Sequence, residues 1–398
     1  MTESPAPVGN FNYPTSYKIG CGRRRELAAC CESLGITRPL VIADPGITGL
    51  PWFADILASL RAGGMDDAVF AGLQGNPVEQ NVIDGVKAYR DGGHHGLVLV
   101  GGGSALDVGK CVAVMVDHPG SVFDYEDVGD NWTKINASKI PPMIAMPTTS
   151  GTGSEVGRAS VITDVRDHTK KIIFHPRMLP PLVLADPETT FGLPPGVTAA
   201  TGVDAFVHSF EALCAPGYHP MADAIALEGM RLCKDNLVRC FDRGDDAEAR
   251  THMMMASSMG ATAFQKGLGL VHAIAHPLGA TTGVHHGLAN AILLPFVMDH
   301  NRPVIEEAMR RLGAYLSLES PGFEAVRAWV VELRARLQIP HTLGEARSRG
   351  LLPSSDALAD DQLPALAEAA TRDASLGTNP KPCSAREIEQ VIRAALAG

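Results

Sequence analysis

The rhythm of hydrophobic and polar positions changes near residue 192. Before it, short apolar runs recur: Leu40-Val-Ile-Ala43, Leu97-Val-Leu-Val100, Met143-Ile-Ala-Met146 and Leu182-Val-Leu-Ala185, each bounded by Gly, Pro or Asp. Runs without polar alternation suit strands buried on both faces, so these four predict a mainly parallel sheet. Between two of them, Val82, Ile83, Val86 and Tyr89 fall at helical spacing, which makes the first half an alternating α/β layer. After Phe191-Gly-Leu-Pro-Pro-Gly196 the strand-like runs stop and helical patterns take over. Val326, Trp329, Val330, Leu333 and Leu337 share one helix face, and a capping box, Ser384-x-x-Glu387, opens a last helix carrying Ile388, Val391, Ile392 and Ala395. Pro-Pro-Gly breaks both periodicities, so the expected division is an α/β domain over 1–194 and an all-α domain over 195–398.

At 398 residues, 45% hydrophobic and 20% charged, the chain is globular in composition and long enough for two cores. The net charge of −10, with no dense basic run, argues against a nucleic-acid partner. The start Met1-Thr-Glu-Ser-Pro lacks a basic and apolar leader, and the longest apolar stretches, such as Ala291–Leu294, are too short to span a bilayer. Eight cysteines without a CxxC pair suit a reducing compartment, so the expectation is a cytoplasmic protein without a membrane partner.

Two glycine-rich turns follow predicted strands. Gly101-Gly-Gly-Ser-Ala-Leu-Asp-Val-Gly-Lys110 leads from the Leu97–Val100 strand into a helical pattern, placing backbone amides at a helix N-terminus that suits a pyrophosphate. It is neither GxGxxG nor a Walker loop. Pro147-Thr-Thr-Ser-Gly-Thr-Gly-Ser-Glu155 follows the next strand and adds hydroxyls able to bond phosphate, ribose or carboxamide. Together they favour a nucleotide crevice at the carboxyl ends of neighbouring strands. Asp44, ending the first strand, suits ribose hydroxyls and would repel a 2′-phosphate, favouring NAD over NADP.

The helical half carries a second constellation. Asp204 and His208 stand four apart, as do His272 and His276, and His285-His286-Gly287 follows. Side chains four apart on a helix share a face, so these residues make an N/O metal site, read first as Asp204, His208, His272 and His286. His285 and His286 cannot both point one way on a regular element, and His286, beside the apolar run that resumes at Leu288, is the better candidate. The other histidines, His94, His95, His118, His168, His175, His219, His252, His300 and His341, read as core or surface residues. Arg158 and Lys266, beside these motifs, either face solvent or select an anionic substrate.

The order and spacing of Gly101-Gly-Gly-Ser-x-x-Asp107, Pro147-Thr-Thr-x-Gly-Thr-x-x-Glu155, Gly202-x-Asp204-x-x-x-His208, His272-x-x-x-His276-Pro-Leu-Gly and His286-Gly-x-Ala-Asn290 resemble the iron-containing (group III) alcohol dehydrogenases, the group that includes lactaldehyde reductase. The likeness runs from about residue 12 through Gly377-Thr-Asn-Pro380 to the end. The resemblance implies a Rossmann-like N-terminal domain, an all-α C-terminal domain, an architecture like that of dehydroquinate synthase, and an active site in the interdomain cleft. It implies that Asp204, His208, His272 and His286 bind Fe(II), with Zn as the alternative, and that His276 lines the site as a proton relay. It puts Asp44 and Asn76 near the adenosine ribose and Gly102, Gly103 and Ser104 on the pyrophosphate. Asp107, in the same turn, counts among the cofactor-binding residues, while Thr148, Thr149 and Thr152 lie along the NAD, with Lys171 a further contact. The implied reaction is hydride transfer between the nicotinamide and a small primary alcohol or aldehyde, in a homodimer or higher homo-oligomer. On the residues alone a metal-dependent hydrolase stays open, as does a metal-stabilised binding protein; four protein ligands and two dinucleotide-like turns weigh against the hydrolase.

Overall fold

A computed structural model describes residues 9–11, 15–166, 169–354 and 356–397. Two positions read from sequence, His168 and the start Met1–Pro5, lie outside them. The chain divides into two compact units. The first runs to Gly192 and takes in Asp245–Met254; the second holds Leu193–Gly244 and the chain from Met255 onward.

In the first unit the strands are β1 (Gly9–Phe11), β2 (Ser16–Ile19), β3 (Pro39–Ala43), β4 (Val69–Phe70), β5 (Gly96–Gly101), β6 (Met143–Pro147), β7 (Ala159–Asp164), β8 (Thr169–Phe174) and β9 (Leu182–Ala185). The helices are α1 (Leu27–Ser33), α2 (Pro51–Ala62), α3 (Glu79–Asp91) and α4 (Gly103–Met115). Seven strands form one sheet in the order β1-β2-β9-β6-β5-β3-β4, parallel except for β1. The four runs read from sequence are its central strands β3, β5, β6 and β9, and every residue of each is buried. Val41, Ala43, Val98, Val100, Ile144 and Met146 point to one face, where Leu27, Phe53, Ile56 and Leu60 of α1 and α2 cover them. Burying each such aliphatic side chain contributes roughly 1.5–3 kcal/mol, which holds the strand ends in a fixed register. β7 and β8 form a separate antiparallel hairpin that the apolar runs did not announce, since β7 alternates half-buried and buried positions.

β4 lies outside β3, while β5 returns to the other side of β3 and β6 and β9 continue in that direction. The connections therefore diverge at the carboxyl ends of β3 and β5, the place where open α/β sheets bind ligands. Asp44 and Gly102 stand at these two ends.

The second unit is helical: α5 (Pro195–Cys214), α6 (Pro220–Asp242), α7 (Ala247–Ala263, which begins in the first unit), α8 (Leu270–Thr282), α9 (His286–Tyr315), α10 (Phe323–Arg336), α11 (Leu343–Ser348), α12 (Leu363–Thr371) and α13 (Ala385–Ala397). α5 packs on α6 and α9, and α9 on α8 and α10. Gly287 sets the α5–α9 approach: a Cβ there would come within 2.3 Å of the Ala200 carbonyl oxygen. The capping box forms at α13, with Ser384 N donating to Glu387 Oε2 (2.9 Å) and Glu387 N to Ser384 Oγ (3.3 Å). Among the described residues no helix is long and apolar enough to cross a membrane.

Candidate metal centre and nucleotide turns

Three helices bring four ligand atoms together. Asp204 and His208 lie one turn apart on α5, His272 lies in the first turn of α8, and His286 is the first residue of α9. One ligand atom from each falls within 4.8 Å of the others. Asp204 Oδ1 stands 3.8 Å from His208 Nε2, 3.8 Å from His272 Nε2 and 3.7 Å from His286 Nε2. Donors about 2.1 Å from a common tetrahedral centre lie roughly 3.4 Å apart, so the Asp204 contacts are already close to a shared-ion spacing, while the wider pairs, at up to 4.8 Å, must draw in to close on one divalent ion. The His208 and His272 rings stack with centroids 4.8 Å apart. Asp204, His208 and His272 are buried, whereas His286 is partly open. His285, its neighbour, is exposed and outside the set.

The supporting residues fix this arrangement. Glu211, also on α5, accepts from Val271 N with Oε1 (2.7 Å) and meets His272 Nδ1 with Oε2 (2.6 Å). One carboxylate thus anchors the α8 N-terminus and orients the imidazole, presenting Nε2 to the centre. Burial pushes the His272 imidazolium down, but Glu211 and Asp204 more than offset it, so its pKa is raised. Asn379 Oδ1 accepts from Leu270 N (3.1 Å), completing the anchor. His276, one turn beyond His272, stacks on His286 at 5.2 Å and gives Nδ1 to Asp373 Oδ2 (2.8 Å). Partial burial raises the Asp373 pKa, yet the pairing with His276 and the hydrogen bonds from Ser375 together outweigh it and hold the carboxyl below its usual range. A proton on Nδ1 facing that carboxylate leaves Nε2 as the accepting nitrogen of His276.

Glu211 and Asn290 were not singled out from sequence as site residues, although a signal existed for both. Glu211 continues the Asp204, His208 face at the next turn of α5, and Asn290 lies one turn after His286 on α9. Asp373, nearly a hundred residues from His276, gave no such signal.

In the first unit the two glycine turns meet. Thr148 N donates to Gly101 O (2.9 Å), and a Cβ on Gly103 would stand 2.7 Å from Thr152 Cγ2. Only glycine lets the turns approach this closely, and it leaves the N-terminal amides of α4 beside the threonine-rich segment. Asp44 Oδ2 accepts from Gly102 N (2.7 Å), tying β3 to the turn, and burial raises the Asp44 pKa against that bond. Ser104 lies in the first turn of α4, and Thr149 and Thr152 are partly buried beside it. Thr148 is buried. Asn76 is exposed with φ of 53°, a left-handed conformation its short amide side chain tolerates.

Asp107 and Lys171 each have partners within the first unit. Asp107 accepts from Ser154 Oγ (2.5 Å) and Val161 N (2.9 Å), bracing the threonine-rich turn and β7 against α4. Lys171 on β8 lies 3.1 Å from Asp164 and 5.3 Å above the Phe123 ring. Lys266 neither faces solvent nor stands available for an anion: its buried ammonium donates to Asp223 Oδ1 (2.6 Å). Arg158 sits 5.6 Å over the Phe174 ring.

Known proteins resemble the chain over nearly its whole length. The family model for iron-containing alcohol dehydrogenase matches residues 14–187, and that for the C-terminal part of the Fe-containing alcohol dehydrogenase family matches residues 198–396. The chain is 36% identical over 388 residues to a 4-hydroxybutyrate dehydrogenase of Cupriavidus necator, covering 96% of this chain and 98% of the relative. It is 32% identical over 398 residues to a 1,3-propanediol dehydrogenase of Citrobacter freundii, covering 99% of each. A crystal structure of a 1,3-propanediol oxidoreductase superposes with a TM-score of 0.88 at 31% identity, over 98% of this chain and 99% of that one.

Proposed function

The chain belongs to the iron-containing alcohol dehydrogenase family, and from that premise we propose that Asp204, His208, His272 and His286 hold its Fe(II). It is an NAD-linked enzyme that interconverts a small alcohol and its aldehyde, and the hydrolase reading falls away. The observation that carries the ligand assignment is the convergence of four donor atoms within 4.8 Å from three helices, three of the four side chains being buried. One carboxylate and three imidazoles suit Fe(II); zinc binds such donors more tightly and is the competing metal in a purified sample.

When bound, the divalent ion supplies Lewis acidity toward the alcohol or aldehyde oxygen, so no strong protein base is required. The chain's own residues do the rest. Glu211 keeps His272 in the tautomer that offers Nε2. His276 takes or returns the hydroxyl proton at Nε2, held in orientation by Asp373. Gly103 and Ser104 present amides to the pyrophosphate, with Gly102 passing closely beside it while its own amide is held by Asp44, and Asp44 and Asn76 serve the adenosine ribose. Thr148, Thr149 and Thr152 line the remainder of the NAD, with Asp107 bracing their turn from behind and Lys171 at its margin. Because Lys266 is neutralised by Asp223, it does not select an acidic substrate.

We further propose domains 1–194 and 195–398 and a cytoplasmic homo-oligomer. The free cysteines, five of them buried, support the location, and β1 at the sheet edge offers a strand for pairing between subunits. The test is NADH consumption by metal-stripped protein with Fe(II), Zn(II) or nothing restored, against neutral and acidic aldehydes. Restoration by Fe(II) with one aldehyde preferred is expected; no consumption with any metal overturns the reading.

A further inference from the structure

Asn290 lies on α9 one turn after His286, is fully buried, and points its carboxamide at the metal ligands. Its Nδ2 donates to Asp204 Oδ1 (2.7 Å) and stands 3.2 Å from His272 Nε2 and 3.2 Å from His286 Nε2. Its Oδ1 is buried without a hydrogen-bond partner among the described residues. A buried acceptor left unsatisfied costs free energy and asks for an explanation. Turning the amide over would give no relief, because it would set Oδ1 against the Asp204 carboxylate.

The three contacts locate the amide over one face of the ligand tetrahedron, the face shared by Asp204, His272 and His286 and remote from His208. When the imidazole Nε2 lone pairs are given to an ion, they cease to accept from Nδ2, and the bond to Asp204 Oδ1 is the one that persists. That oxygen has a second lone pair, so it serves ion and amide together. We infer that Asn290 is a positioning residue of the metal centre with two effects: it aims Asp204, and it closes one face of the ion so that substrate enters at another. His276 stacks on His286 and meets His272 edge-on at 5.7 Å, so it lies beside the His272–His286 edge. Of the two faces sharing that edge, Asn290 closes the one containing Asp204. The substrate oxygen therefore enters through the face of the three ligand histidines, opposite Asp204 and next to His276.

This inference rests on the ligand assignment above, and its test separates the two. The full chain, stripped of metal, is titrated with Co(II), whose visible absorption weakens as its coordination number rises; His272→Ala is the control for the assignment. Asn290→Leu, which fills the space without a polar group, is expected to bind Co(II) some tenfold to a hundredfold more weakly than wild type with unchanged band intensity. Asn290→Ala is expected to lose similar affinity and, in addition, to show weaker bands as water reaches the opened face. Asn290→Ser, which restores a donor, guards against misfolding and should recover part of the affinity while keeping the weakened bands. Wild-type affinity and spectrum in both the Leu and Ala variants overturn the role of Asn290 while leaving the ligands standing. Tight, unaltered binding by His272→Ala overturns the assignment, and the inference with it.

Discussion

The β5–α4 turn offers a ligand its backbone amides, whereas the α5–α8–α9 cluster offers side-chain lone pairs. In the turn, Gly103 matters because it has no side chain to meet Thr152, and in the proposed nucleotide site adjacent amides would share the work. In the cluster every proposed ligand is a distinct side chain, and two of them have a dedicated partner: Glu211 for His272 and Asn290 for Asp204. Shared amides degrade gradually when one is disturbed, but a four-donor site with one donor removed loses its ion.

The largest expected effect breaks the cluster. His272→Ala should abolish metal retention, measured by elemental analysis after gel filtration, and lower turnover on the order of a thousandfold or more. His276→Ala sharpens the same contrast: metal content should match wild type, while kcat falls by about a hundredfold with the loss of the proton relay. Equal metal loss in both variants would remove the distinction between ligand and relay.

On the turn side, Gly103→Ala must displace Thr152, whose Cγ2 would lie 2.7 Å from the new Cβ. NADH affinity, measured by fluorescence titration, should weaken by about tenfold, roughly 1.4 kcal/mol, with metal content unchanged. The smallest effect is expected from Asp44→Asn, which retains an acceptor for Gly102 N and removes the buried charge. The folded-state pKa of Asp44 is raised by burial, so its ionisation opposes folding as pH rises through the carboxylate range. The variant should therefore melt slightly higher than wild type at about pH 7 and lose that advantage near pH 4, where both chains are protonated or neutral at this position. Its preference for NAD over NADP should also fall, by about threefold, on comparing kcat/KM with the two cofactors.

Local chemistry decided much of this protein. Unalternated apolar runs can be satisfied by strands covered on both faces, so β3, β5, β6 and β9 were legible before any contact was known. The α13 capping box names its own helix start, and a carboxylate and histidine four apart on α5 must share a face. Other elements carry weak local signals: β4 has only two residues, and β7 alternates like a half-exposed strand. What tertiary structure alone decided is which groups consume one another. Lys266 reads as either solvent-facing or selecting an anion until α6 brings Asp223 to 2.6 Å, and Asp107 reads as a cofactor contact while the fold has Ser154 and Val161 bonded to its two oxygens. His276 acquires Asp373 from nearly a hundred residues away. The physical reason is that periodicity records which face a residue occupies on its own element, while hydrogen bonds and ion pairs depend on distances of a few ångströms between elements, which are set only when the helices and strands pack.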